Sequence, residues 1–244
     1  MRGVVIIMLK RLIRGLILRE KADSKSFVEY LKRRGVKVGE VCYVPEPSSV
    51  LIDMTDPWLI TIGDNVTITH GVCVLTHDYG WSVIKKHGSL KGSVLGSQAP
   101  VKIGNNVFIG VNTVITKGVT IGNNVIIGAG SVITKDCEDN GVYAGNPAKN
   151  IMTMDEYIAK REKKQFSEAK ALAIAYRERF SVEPPKEIFK EYFMLFSTAE
   201  WSLNVPQFRS RMANCGNLDE TVAYMDAHKP MFSSYEEFLK KCYE

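Results

Sequence analysis

Residues Ile103 to Glu138 read IGNNVF-IGVNTV-ITKGVT-IGNNVI-IGAGSV-ITKDCE, with isoleucine at every sixth position: Ile103, Ile109, Ile115, Ile121, Ile127 and Ile133. Glycine follows four of the six. A period of six matches neither a helix of about 3.6 residues per turn nor a flat strand of period two. It is expected of short strand-turn units stacked into a solenoid. Each hexapeptide then forms one flat side of a triangular prism, with the isoleucine inward. Gly-Asn-Asn falls at the corners, where tight turns or a positive φ are needed and where Gly and Asn are tolerated.

The ladder continues upstream through Val38, Val44, Val50, Asp56, Ile62, Ile68 and Val74, each six apart. Asp56 is the one break in this series. A carboxylate aimed into a dry prism costs several kcal/mol unless paired, so the coil is expected to be distorted there, with Pro57 and Trp58 assisting. From Val74 to Ile103 is 29 positions, not a multiple of six. About eleven residues beyond whole coils are therefore predicted to leave the prism, within a loop placed at about 79–99.

Two segments carry a resemblance. LITIGDNVTITHGVCVLTHD and the later APVKIGNNVFIGVNTVITKGVTIGNNVIIGAGSVITKD, followed by AGNPAK, resemble the left-handed β-helix, hexapeptide-repeat acyltransferases. Within them the chain is most similar to bacterial saccharide O-acetyltransferases of the maltose and galactoside type. The resemblance covers residues from about 36 to 152. It implies a mainly β fold, a left-handed parallel β-helix with an N-terminal helix and a C-terminal helical appendage. Left-handed winding runs against the usual crossover preference and comes from the resemblance alone. The expected domains are an N-terminal amphipathic segment 1–35, the β-helix 36–152 and an α-helical appendage 153–244.

Composition sets outer bounds. The chain has 244 residues and a net charge of +5, mild and taken as evenly spread. That suits an anionic coenzyme and argues against a nucleic-acid partner. Cys42, Cys73, Cys137, Cys215 and Cys242 are odd in number and lack paired metal spacing, which reads as free thiols in a reducing cytosol. Val4 to Leu18 is apolar but interrupted by Lys10, Arg11 and Arg14. It is too short and too charged to span a membrane and lacks the pattern of a signal peptide. It reads as a basic amphipathic helix, suited to capping the prism or to weak contact with an anionic membrane surface. A cytoplasmic enzyme, peripheral to the inner face of the membrane at most, is expected.

After Pro147 the pattern becomes helical. A helix is predicted over Asp155 to Phe180, ended by Pro184-Pro185, and a second around Ile188 to Phe196. Shorter ones are predicted near Val205–Met212, Leu218–Ala227 and Tyr235–Tyr243.

Chemistry is expected where the coil is interrupted. His77 in Leu75-Thr76-His77-Asp78 stands immediately before the loop. The resemblance makes it the general base that takes the proton of an acceptor hydroxyl attacking a thioester, a task suited to an imidazole near neutral pH. Both substrates can meet in one cleft, so no covalent enzyme intermediate is needed. Asp78, next along an extended strand, points to the opposite face and reads as solvated surface. His70 reads as a corner residue, either a turn residue or one lining the neighbouring cleft; His87 and His228 carry no assigned role. The resemblance places an acidic residue near Asp56 against acceptor hydroxyls, and Tyr79 and Trp81 are candidates to stack on a sugar face. Phe108 stands where sugar acetyltransferases often carry Trp, keeping an apolar wall without the indole donor.

For acetyl-CoA as co-substrate, the Gly128 to Asp136 segment implies Ala129 against the pantetheine arm, with Thr134 and Lys135 near the nucleotide end. Lys149 takes the place of a common arginine and suits a phosphate as a point charge. In the resembling family the coenzyme lies between neighbouring prisms, so a homotrimer is implied. Other readings are an N-acetyltransferase on an amino sugar and an acyltransferase fed by acyl-carrier protein. Further from the resemblance stand a zinc enzyme of the γ-carbonic anhydrase type, whose three-histidine spacing His70, His77 and His87 do not match, and an inactive trimeric scaffold. No metal requirement is expected.

Overall fold

The structure, a computed structural model, describes residues 18–244. It divides into two compact units, Met1–Tyr157 and Ile158–Glu244. The expected amphipathic helix over Val4–Leu18 lies outside the described residues but for its last position. The helix that is seen, Ser24–Arg34, starts on Asp23, whose carboxylate accepts from Ser26 N at 2.9 Å, and stops at Gly35 with φ 103°. It buries Phe27 and Leu31 in the core of the first unit.

That core is the inside of a three-sided parallel β-helix. The first face stacks Lys37–Val38, Ile60–Ile62, Val101–Ile103 and Thr120–Ile121. The second stacks Val66–Ile68, Val107–Ile109, Val125–Ile127 and Gly141–Gly145, closed by the antiparallel strand Ala148–Thr153. The third stacks Leu51–Ile52, Cys73–Val74, Val114–Ile115 and Val132–Ile133. The register lines up the aliphatic columns: Ile62, Ile103 and Ile121; Ile68, Ile109 and Ile127; Val74, Ile115 and Ile133. All nine are buried. Removing each such side chain from water stabilises the coil by about 1.5–3 kcal/mol, which is why the column repeats in sequence.

The first corner, between the first and second faces, is a pair of side-chain ladders. Asn65, Asn106, Asn124 and Asn140 all hold φ between 51° and 59°. Their amides hydrogen-bond up the stack at 2.9, 2.8 and 2.9 Å. Beside them Asp64, Asn105, Asn123 and Asp139 each accept a backbone N–H from the coil before, at 2.7–2.9 Å.

Two expectations are corrected here. Val74 pairs with Ile115, 41 residues on, whereas Ile115 pairs with Ile133, 18 residues on. The excursion therefore adds 23 residues to a plain coil, not about eleven. In the first coil the partner of Val74 is Ile52, not Val50. The chain has already lengthened by two residues at the 3₁₀ turn Pro47–Ser49, and Pro57–Leu59 lies in a further lengthening before Ile60. Asp56 consequently sits outside the aliphatic column and is partly exposed.

The second unit is helical, and with it helix reaches about 42% of the chain, so "mainly β" describes the first unit alone. The long helix Met154–Phe180 and the helices Ala199–Leu203, Pro206–Met212, Leu218–Ala227 and Tyr235–Tyr243 are present. The helix expected around Ile188 to Phe196 is instead two 3₁₀ turns, Lys186–Phe189 and Phe193–Leu195. Phe189, Phe193 and Phe196 are all buried; their i, i+4, i+7 spacing is that of one helical stripe, which is why the sequence suggests a single helix here, but the chain brings them together from two short turns. No described helix is long and apolar enough to cross a membrane.

Candidate active site

The third corner, where the chain leaves the third face for the first, is plain in the upper coils. It consists of Thr116-Lys117-Gly118, with Gly118 at φ 81°, and of Thr134-Lys135-Asp136. In the two lower coils it swells. There it holds the Asp53 to Leu59 lengthening and the long excursion after Thr76. The roots of that excursion are zipped together: Ala99 N donates to Thr76 O at 2.9 Å, Asp78 N to Ser97 O at 3.1 Å, and His77 bridges Gln98.

Asp53 follows the strand Leu51–Ile52 and is tied to the coil by its N–H on Val74 O at 2.9 Å. Its carboxylate accepts four bonds: Thr55 N at 3.0 Å, Thr76 N at 3.0 Å, Thr76 Oγ1 at 2.7 Å and His77 Nδ1 at 2.6 Å. Burial pushes its pKa up, but the bonds from Thr76 and Thr55 outweigh it and hold the carboxyl well below the ordinary range. An ionised, acceptor-only carboxylate requires Nδ1 of His77 to be the protonated nitrogen. Nε2 is left with its lone pair and no hydrogen-bond partner among the described residues. The imidazole is 20% exposed and its carboxylate 5%, so the ring is reachable while the group that anchors it is shielded.

The remaining loop residues extend from this pair. Tyr79 stands edge-on to His77 with ring centroids 5.0 Å apart, and Trp81 follows at 6.1 Å from Tyr79. Asp56 accepts from the Gln98 side-chain amide, so it braces the loop root. Asp78 does reach the surface, yet it is engaged: Lys117 Nζ and Gly80 N both donate to it. The Lys117 bond first, then Gly80, bring its pKa down to about 2.

The structure gathers Asp56, His77, Tyr79 and Trp81 at this one corner. Extending the register of the third face by two residues puts Lys117 and Lys135 in line with Thr76, so Thr134 and Lys135 share the corner as well. Phe108, Ala129 and Lys149 are elsewhere. Phe108 points outward from the second face, 44% exposed. Ala129 is exposed at the second corner, between Gly128 and Gly130, and a Cβ at Gly130 would meet nothing within 4 Å. Lys149 lies on the closing strand of the second face. His70 occupies the second corner with Glu46 at 2.8 Å, and His87 is on the loop, so one chain does not bring His70, His77 and His87 to one place.

Asp53 is the residue that counting in sixes misses. Its signal is position: it directly follows the inward Ile52 at the end of a strand, between the lengthening at Pro47–Ser49 and the one at Pro57–Leu59.

The outer surfaces differ as well. The first face presents Lys37, Thr61, Lys102 and Thr120 in register. The second presents Tyr43, Thr67, Phe108 and Ile126, and the third Leu51, Cys73, Val114 and Val132. One face is polar; two are apolar.

Comparison with known proteins follows the coils. The family described as "Bacterial transferase hexapeptide (six repeats)" matches residues 100–135. "Protein CapG" of Staphylococcus aureus is 41% identical over 152 residues, spanning 62% of this chain and 83% of its own length. "Galactoside O-acetyltransferase" of Escherichia coli (strain K12) is 40% identical over 106 residues, 43% of this chain; the match spans 49% of that relative. Among solved structures, a maltose O-acetyltransferase from Clostridium difficile 630 is 28% identical with a TM-score of 0.41, covering 59% of this chain and 82% of its own. A galactoside acetyltransferase in complex with coenzyme A is 30% identical with a TM-score of 0.42, covering 61% and 82%.

Proposed function

Because this chain belongs to the hexapeptide-repeat family of bacterial acyltransferases, we propose that it transfers the acetyl group of acetyl-CoA to a hydroxyl of a saccharide. The observation that carries the reading is the Asp53–His77 pair, with its buried ionised anchor and outward Nε2. An alcohol is a weak nucleophile at neutral pH, and a positioned imidazole removes its proton as the C–O bond forms. In this mechanism Nε2 takes the acceptor proton while the hydroxyl oxygen attacks the thioester carbonyl. The tetrahedral species then collapses with loss of the thiolate, which takes the proton from the imidazolium. Asp53 fixes the tautomer and stabilises the transient positive charge without itself being protonated, as its depressed pKa requires.

The coenzyme fits the exposed small-residue corner at Ala129. Gly130 opens onto free space, and Thr134, Lys135 and Lys149 offer a hydroxyl and two ammonium groups for phosphate. Acetyl-CoA supplies the activated carbonyl; this chain supplies the base and the walls. Tyr79 and Trp81 form the acceptor shelf, with Asp56 bracing its root.

Phe108 and Ala129 lie away from the corner that holds His77, so a single chain carries an incomplete site. Two apolar outer faces and one polar face suit a cyclic trimer in which the second face of one copy meets the third face of the next. That packing would bring Phe108 of one copy towards His77 of its neighbour, with left-handed coils as in the family. We place the enzyme in the cytoplasm, with the basic apolar N-terminus suited to an anionic membrane surface.

The test combines purified protein, acetyl-CoA and an acceptor panel, with thiol release and product mass as readouts. Alkali-labile acetylation of a saccharide is expected. An alkali-stable product would mean amide formation, and activity only with acyl-carrier protein would overturn the donor. A fully active monomer by size determination would overturn the shared site.

A further inference from the structure

The net charge of the chain is +5, and it is not evenly spread as the composition first suggested. Between Tyr79 and Lys135 there are six lysines, Lys85, Lys86, Lys91, Lys102, Lys117 and Lys135, and neither Asp nor Glu. The rest of the chain is therefore close to neutral. Lys117 is spoken for by Asp78. Lys85, Lys86 and Lys91 are exposed on the loop, and no carboxylate among the described residues pairs with them.

Their placement gives this excess a direction. His77, Tyr79 and Trp81 form a row with centroids 5.0 and 6.1 Å apart, and Lys85 Nζ lies 6.0 Å from the Trp81 centroid. An aromatic shelf thus starts at the base and ends at an ammonium group. A sugar ring stacked on such a shelf would hold its reacting hydroxyl at one end and present its far substituent to a cation at the other. The lysines offered above to coenzyme phosphate, Lys135 and Lys149, stand on the upper coil and the closing strand, not on the loop that carries Lys85, Lys86 and Lys91. A loop serving a neutral sugar gains nothing from uncompensated positive charge, which repels itself and is normally interspersed with acids.

Resting on the acetyl-transfer reading above, we infer that the acceptor is an anionic saccharide, whose negative group is held by Lys85 with Lys86 and Lys91 while its hydroxyl meets His77. The shared chemistry is a saccharide bearing a fixed anion one or two units from the acetylated position, either a sugar carboxylate or a phosphate ester.

The experiment compares three acceptors with acetyl-CoA and the full chain: a uronic-acid disaccharide, a nucleoside-diphosphate sugar and a neutral disaccharide. At low salt, one or both anionic acceptors should exceed the neutral one in kcat/KM by about tenfold, and the better of the two identifies the anion. The advantage should shrink in about 0.5 M salt, where screening is strong. Replacing Lys85, Lys86 and Lys91 together by Gln should collapse the anionic-to-neutral ratio towards one, with coenzyme affinity unaltered. Lys85→Arg alone should preserve it. Equal kcat/KM for neutral and anionic acceptors in the native protein overturns the inference and leaves saccharide acetylation standing. Coenzyme binding without transfer to any saccharide overturns both. A ratio that survives the triple replacement overturns the assignment of the anion to these lysines.

Discussion

The first and third corners of the prism are built on the same repeat and have opposite characters. At the first, an Asn recurs coil after coil, and the amides of Asn65, Asn106, Asn124 and Asn140 bond only to one another among the described residues. At the third, the lower coils swell, first by a few residues after Asp53 and then by a long excursion after Thr76, and Asp53, His77, Tyr79 and Trp81 gather there. A regular stack satisfies its own donors and acceptors and leaves none for a substrate. A stack that is broken on one side keeps its rigidity from the other two and gains irregular backbone on which to mount a base.

The sharpest way to break this division is to remove the imidazole. His77→Ala should lower kcat by about 10²–10⁴-fold, with coenzyme affinity unaltered and stability lower by about 1–3 kcal/mol for the bond lost to the buried Asp53 carboxylate. Steady-state kinetics beside calorimetric titration decide it. A matching loss of coenzyme binding would make the third corner structural too.

Next in size is Asp53→Asn, which keeps an acceptor and removes the charge. Turnover should fall by about 10–10³-fold, because the wrong tautomer is no longer disfavoured and the imidazolium is no longer stabilised. Stability adds a second readout. The Asp53 carboxyl is held below its ordinary range in the folded chain, so its contribution is complete above about pH 4 and fades as pH falls further. The gap between native and variant unfolding free energies should therefore narrow in acid. A gap that widens there would mean that the carboxylate is not ionised in the fold.

Asn124→Ala tests the other corner. It removes the bond accepted from Asn106 and the one donated to Asn140, and it leaves alanine at φ 54°. Denaturant unfolding should show a loss of about 2–3 kcal/mol, with kcat per folded molecule unchanged. A fall in kcat without a fall in stability would blur the distinction between the corners.

The same contrast explains what could be read from the sequence. The aliphatic columns were legible because burial recurs in every coil at the same offset, as with Ile109 under Ile127. The Asn ladder was legible because a positive φ selects its residue. His77 stands out in the sequence through the break and the family resemblance. Asp53 was missed because strict sixes run past two lengthenings and point to Asp56, which ends beside Gln98 instead. The loop was undersized for a related reason. A gap of 29 positions leaves a remainder of five, equally compatible with 11 or 23 extra residues, and an irregular segment has no period to choose between them. The pairing of Asp78 with Lys117 joins residues 39 apart through a coil whose length was not known.

That pair offers the smallest expected effect and the finest distinction. Lys117 stands on an undistorted coil and Asp78 on the root of the excursion, so the bond fastens the variable part of the third corner to the regular part. Asp78 is exposed, and an exposed ion pair contributes little to global stability. Its consequence should be local: Lys117→Ala frees the root on which Tyr79 and Trp81 are mounted, so KM for the acceptor should rise by about two- to fivefold. The values of kcat and coenzyme affinity should stay as they were. With its pKa brought down to about 2, Asp78 is charged throughout the working range, so the rise should not depend on pH between about 5 and 8. It should shrink with salt, because screening weakens the native pair towards the variant. A fall in kcat with KM unaltered would instead place the clasp in the positioning of the imidazole, and would extend the chemical part of this corner one coil further up the stack.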